Sequence, residues 1–188
     1  MRCAPRPGSK ANASWRAPKM RALAAAIVFL VVAAPAAAAS YSGLAKVPAV
    51  VWVSDAAPAP APDAAIRQTG KTFVPALLVV PVGTGVRFPN DDPFYHSVYS
   101  TSPENAFDLG LYDTGPGKTV TFSAPGIVDI HCHVHGSMHA TIVVVDGPFV
   151  QTTQANQRYT LDNLTPGNHV LHVYDGGASV SATPIVVR

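Results

Sequence analysis

From Pro48 onward the chain is punctuated so closely by Gly- and Pro-containing turns that no apolar run is long enough to complete a helix. The runs themselves are short and rich in Val, Ile, Thr, Tyr and Phe, at 50–53, 64–68, 71–74, 76–80, 86–89, 95–100, 107–112, 119–122, 127–130 and 140–145. Turn chemistry separates them at Pro81-Val82-Gly83-Thr84-Gly85, at Asn90-Asp91-Asp92-Pro93, across 113–117, at Ala124-Pro125-Gly126 and at Asp146-Gly147-Pro148. Stretch 76–80 is apolar throughout, as a strand covered on both faces would be. No segment of this region carries sustained helical periodicity with caps. The expectation is an all-β chain built as a two-layer antiparallel Greek-key sandwich.

The two ends have a different character. Met20-Arg21 precedes an apolar run over 22–34, then Pro35 and the small residues of 37–39, the layout of a secretory signal cleaved before Ser40, with Met20 as an alternative start. The run is short for a membrane span and no basic stop-transfer stretch follows, so no integral membrane segment is expected in the mature chain. Of 13 Lys and Arg, six lie before residue 40, whereas all 11 acidic residues lie after it, leaving a balance of −4. No basic cluster survives, and nucleic-acid binding is excluded on that ground. The alternating prolines of 55–63 predict a linker. Residues 148–188 read as a small β module with a hairpin turning at Pro166-Gly167; it is too short for a core of its own and is expected to pair with 44–53. The sandwich proper is then 64–147, preceded by a strand and linker over 40–63.

Asp129-Ile-His-Cys-His-Val-His-Gly-Ser-Met-His139 concentrates the chemistry. It holds four of the seven histidines and, beyond the leader, the sole cysteine and methionine. An unpaired thiol in an exported protein is a liability unless something ligates it. Cys132-x-x-His135-x-x-Met138 offers a thiolate, an imidazole and a thioether from one loop after a strand, and His96, near the end of its own strand, is the remaining histidine candidate. A soft sulfur set with two imidazoles suits copper in both oxidation states. Zinc is the rival, since one Cys with several His satisfies a tetrahedral site, but a thioether is a poor zinc ligand. His131 and His133 fall on the strand face opposite Cys132 and, with His139, are candidates for a second metal site. His169 and His172 read as surface histidines.

Residues 88–100, 107–112 and 130–138 resemble the cupredoxin, or blue-copper, superfamily, in particular plastocyanin- and amicyanin-like proteins of the exported methylamine utilisation type. The resemblance implies a metal site made by His96, Cys132, His135 and Met138, one type 1 copper, and one-electron transfer without bond chemistry on a substrate. Ser97 stands where many such proteins have Asn, and His133 where this subgroup often has Asn or Asp. Residues 156–167 are similar to part of a carboxypeptidase regulatory-like module.

The expected function is therefore an exported electron carrier of the periplasm or extracellular space, not a self-contained enzyme, working with a redox protein partner. His135 would present an edge to that partner, with Pro93, Phe94 and Gly136 as an apolar docking patch. The alternative is a copper-binding or delivery module whose His-rich loop exchanges the ion with a copper donor or acceptor. A third possibility is a structural domain whose metal clamps loops.

Overall fold

The computed structural model describes residues 38–54, 61, 64–147 and 149–188. The signal-peptide expectation lies outside these residues except at its last two positions, and the 55–63 linker expectation lies outside them except at Ala61. Among the described residues no helix is long and apolar enough to cross a membrane, and the regular elements are strands. In chain order they begin with β1 (Ala39–Ala45), β2 (Ala49–Val53), β3 (Ala64–Ala65), β4 (Arg67–Thr69), β5 (Thr72–Val74) and β6 (Leu77–Pro81). Next come β7 (Gly85–Asn90), β8 (His96–Ser100), β9 (Phe107–Tyr112), β10 (Gly115–Thr121), β11 (Gly126–His131) and β12 (His139–Val145). The last are β13 (Phe149–Thr153), β14 (Gln157–Leu164), β15 (Gly167–Tyr174) and β16 (Ser181–Val187).

Two five-stranded sheets face each other across 64–147. One has the order β10-β7-β4-β5, with β3 beside β7; the other has the order β6-β12-β11-β8-β9. Alternation puts Val128 and Ile130 of β11, and Val86 and Phe88 of β7, into the shared core with Ile66, Phe73, Phe122 and Ile142. The sandwich is mixed, not purely antiparallel: β6 runs parallel to β12, and both β3 and β4 run parallel to β7. These pairs join strands that are not hairpin neighbours in the chain, and turn spacing alone does not separate the two cases. In β10 the register shifts between Gly115 and Lys118. There Gly117 has φ +71°, and a Cβ would stand 1.8 Å from the Phe88 carbonyl oxygen, so this close approach requires glycine.

The remaining strands form a smaller pair of sheets, β1-β14 over β13-β2-β15-β16. The hairpin expected at Pro166-Gly167 is absent, because β14 pairs with β1 while β15 pairs with β2 and β16. Tyr159, Leu161 and Leu164 of β14 and Leu171 of β15 enter the same core from opposite layers. Burial of both apolar faces thus outweighs the local turn, and 165–166 crosses between layers instead of closing a hairpin.

Strand β12 joins the two halves. Ala140, Ile142 and Val144 point into the main core, whereas Val143 and Val145 on its other face pack with Val50, Trp52 and Tyr174. Its HATIVVV sequence is buried at every position after His139, so β12 carries the two-sided coverage expected of 76–80, where Leu77 is instead exposed. A polar chain seals this joint. Trp52 Nε1–H and Ser54 Oγ–H donate to Asp146 Oδ1 (3.0 and 2.7 Å), and His172 Nε2 lies 2.7 Å from Ser54 Oγ. His172 also stacks on Trp52 at 5.1 Å. His169 is buried, its Nε2–H donating to the Thr165 carbonyl (2.7 Å). Neither is the surface histidine expected, because β15 is an interior strand of its sheet and is packed on both faces, with Leu171 and Val173 in one core and Tyr174 in another.

Burial pushes the Asp146 carboxyl up, but the Ser54 and Trp52 donors outweigh it and its pKa lies below the ordinary value. A carboxylate depressed in the folded state adds stability above its unfolded pKa of about 3.9, and that contribution is lost as pH falls through the folded value. Asp146→Asn is therefore expected to lower the urea midpoint at pH 7 and to shrink the further loss seen on acidification below about pH 4. Equal acid sensitivity in both proteins would remove Asp146 from that balance.

Candidate metal centre

The ends of β8 and β11 and the loop before β12 meet at one edge of the larger sandwich. His96 opens β8, Cys132 immediately follows β11, and Met138 immediately precedes β12. One ligand atom each from His96, Cys132 and His135 lies within 4.8 Å of the others, and this is the one such His/Cys/Asp/Glu group among the described residues. His96 Nδ1 stands 3.8 Å from Cys132 Sγ and 3.1 Å from His135 Nδ1. Met138 is buried in the same core as Cys132, and its N–H donates to the His135 carbonyl (2.9 Å), closing the loop into a tight turn.

Hydrogen bonds around the cluster fix its chemistry. Burial pushes the Cys132 thiol pKa up, but the N–H groups of Ser97, His135 and Val134 and the His96 ring outweigh that and bring it below the ordinary thiol value. The balance is thereby shifted toward the thiolate, the form that ligates a metal. Ser97 Oγ accepts the His133 N–H (2.9 Å), so a serine hydroxyl ties together the two segments that carry His96 and Cys132.

Behind His96, which is fully buried, stands Asp92. His96 Nε2–H donates to Asp92 Oδ2 (2.9 Å), which turns Nδ1 toward Cys132 and His135. Asp92 is itself held from the β4–β5 turn: Gly70 N–H donates to Oδ1 (2.6 Å) and Lys71 N–H to Oδ2 (2.9 Å). Burial raises the Asp92 carboxyl, but these N–H groups and His96 more than offset it, and its pKa is lowered. Asn90 completes the bracket, its side chain accepting the Asp92 N–H and donating to the Phe94 carbonyl.

Asp92 was not among the sequence candidates. It lies in the Asn90–Pro93 turn signal, and its closeness in sequence to His96 was the cue available. His135 is half-buried; desolvation, then the neighbouring His96 and Lys71 charges, lower its pKa. Phe94 touches the edges of both imidazoles, at 5.2 Å from His96 and 5.7 Å from His135. Its chain neighbours Pro93 and Tyr95 are exposed, as are Val134 and Gly136 on either side of His135.

The other histidines of the motif lie outside this cluster. His133 stacks flat on Tyr99 (3.8 Å between ring centroids) and reaches Asp108 at 3.3 Å, whereas His131 faces His139 across β11 and β12.

Two facing sheets with a His/His/Cys cluster at one edge are the arrangement expected from the resemblance of 88–100, 107–112 and 130–138 to cupredoxins. No protein-family model matches the chain, and no curated protein matches it. Among solved structures it is similar to the Cu-containing nitrite reductase NirK of Thermus scotoductus SA-01, at 26% identity and a TM-score of 0.43. That match covers 45% of this chain and 22% of the reductase, so the chain spans about a fifth of that protein. A purple cupredoxin from Nitrosopumilus maritimus is 26% identical over 44% of this chain and 100% of its own, with a TM-score of 0.40. A reduced amicyanin variant is 22% identical over 55% of this chain and 98% of its own, with a TM-score of 0.42.

Proposed function

We propose that this protein is an exported type 1 copper protein that carries single electrons between redox partners, with His96, Cys132, His135 and Met138 as its metal ligands. The observation that carries the reading is the convergence of two imidazole Nδ1 atoms on a buried cysteine whose surroundings shift it toward the thiolate. That donor set fits copper: a soft thiolate for Cu(I), imidazoles that also serve Cu(II), and a buried thioether in the adjoining turn. Bound copper would supply a one-electron couple.

The protein's own part is to hold the donors still. Asp92 and the β4–β5 turn lock His96, the backbone N–H groups hold Cys132, and Ser97 ties the two segments together. Little rearrangement then accompanies a change of oxidation state. His135 is the ligand nearest solvent, and the exposed chain neighbours of Phe94 and His135, namely Pro93, Tyr95, Val134 and Gly136, suit a weak, short-lived contact with a redox protein. The reading places the protein in the periplasm or outside the cell.

The test is to add one equivalent of Cu(II) to the apoprotein and to Cys132→Ala and record visible and electron paramagnetic resonance spectra. The expected result is an intense orange-red absorption with small copper hyperfine splitting, lost completely in Cys132→Ala. Ordinary tetragonal Cu(II) spectra, unchanged by the substitution, would refute thiolate ligation. Voltammetry then separates the carrier from the copper-delivery alternative, which the solvent-facing histidines of the same motif favour. A carrier cycles reversibly and keeps its copper, whereas a delivery module surrenders it to a competing chelator.

A further inference from the structure

The outer face of the β6-β12-β11-β8-β9 sheet is covered unevenly. Around Ile127, Val143 and Val145 it lies under β2 and Tyr174. Toward the other end of the same strands the cover stops, and the outward residues change from apolar to Asp129, His131 and His139. His131 and His139 are direct cross-strand partners in the β11–β12 register, with ring centroids 5.1 Å apart and planes inclined at 49°. Asp129 shares the face of His131 two residues away, and its Oδ1 lies 3.6 Å from His139 Nε2. The Asp129 and His139 side chains are 54% and 53% exposed, so no core accounts for them, while His131 is half-buried beside its other cross-strand partner Tyr99 at 5.6 Å between rings.

We propose that Asp129, His131 and His139 form a second metal site, an exchangeable one for a borderline divalent transition ion such as Cu(II) or Zn(II). The spacing fits. With metal–nitrogen bonds of about 2.1 Å, two imidazoles sharing one ion at near-square or tetrahedral angles have ring centroids roughly 4.5–5.3 Å apart. The ring pair already stands within that range on two rigid strands, so the backbone is in place; the three ligand atoms do not yet all lie within 4.8 Å of one another, and rotation of the exposed side chains closes the site. Imidazole and carboxylate donors select Cu(II), Zn(II) or Ni(II) over the hard ions Mg and Ca, and the absence of sulfur leaves Cu(I) poorly held. Exposure leaves the remaining coordination positions to water, which makes the ion labile. His133 is not a ligand in this arrangement: it lies flat on Tyr99 and points to Asp108.

The site does not depend on the electron-carrier reading, and its test is arranged to keep the two apart. Cu(II) is titrated into the full apoprotein by calorimetry, with electron paramagnetic resonance recorded after one and after two equivalents. The expected result is a second, weaker event with the large hyperfine splitting of an ordinary nitrogen–oxygen site. His139→Ala and His131→Ala should each weaken that event by at least about tenfold while leaving the first unchanged, and Asp129→Asn should weaken it less. In Cys132→Ser the second event should persist. Stoichiometry of one in the wild type, or a second event indifferent to both histidine substitutions, would overturn the site whatever the first spectrum shows. A first event without thiolate character would instead count against the blue-copper reading alone.

Discussion

Asp92→Asn is expected to weaken copper binding by about 10–100-fold and to raise the reduction potential of the bound metal. The carboxylate accepts the His96 Nε2–H, which makes the imidazole a stronger donor and places a negative charge close behind it. Both effects favour Cu(II) over Cu(I), so removing the charge shifts the couple toward the reduced state. The amide cannot simply replace the carboxylate. Oδ1 receives Gly70 N–H, and Oδ2 receives Lys71 N–H and His96 Nε2–H. An amide oxygen turned toward Lys71 and His96 leaves its NH2 facing the Gly70 donor. One hydrogen bond is lost in that orientation and two in the reverse one, at about 1–3 kcal/mol each. Spectroelectrochemistry reads the potential, and competition with a copper chelator reads the affinity. A variant that is less stable but has wild-type potential and affinity would reduce Asp92 to a prop for the β4–β5 turn.

The sequence exposes this site unevenly, and the reasons are physical. Cys132, His135 and Met138 stand in one short loop between β11 and β12, so their spacing is local and can be read directly. His96 is separated from them by 36 residues in the chain; it was reachable only because few histidines remained to choose from. Asp92 was missed because its role depends on the β4–β5 turn, whose backbone N–H groups approach it from more than 20 residues away. No local pattern encodes that approach.

The fold divides the same way. Alternation marks strands such as β11 well, but the parallel placement of β6 beside β12 and the separation of β14 from β15 are decided by which faces must be buried together. In the tail, a Pro-Gly turn signal favoured a hairpin, and the apolar faces of Tyr159, Leu161 and Leu171 required two layers. Burial of a whole face exceeds the preference of one turn by several side chains, each contributing about 1.5–3 kcal/mol.

That division gives the joint at Trp52 a measurable role. Trp52 is 2% exposed, packs with Val143 and Val145 on the outer face of β12, and donates its indole N–H to Asp146. Trp52→Ala is expected to cost about 3–5 kcal/mol of unfolding free energy through lost burial and the cavity left behind. Losing its stacking on His172 and one of the donors to Asp146 adds to the effect. The damage should remain local to the joint. His96, Cys132 and His135 belong to the edge where β12 begins, whereas Trp52 meets β12 near its far end.

The folded variant should therefore keep the wild-type copper spectrum while its denaturant midpoint falls. Trp52→Phe should recover much of the packing but not the hydrogen bond, and should fall between the two. Guanidinium unfolding followed by far-UV circular dichroism, beside the visible spectrum of copper-loaded protein, tests both halves of the expectation. If stability were unchanged, the smaller sheets would be passengers on the sandwich. If the spectrum changed with it, β12 would be transmitting strain from the joint to the metal edge, and the two halves would act as one mechanical unit.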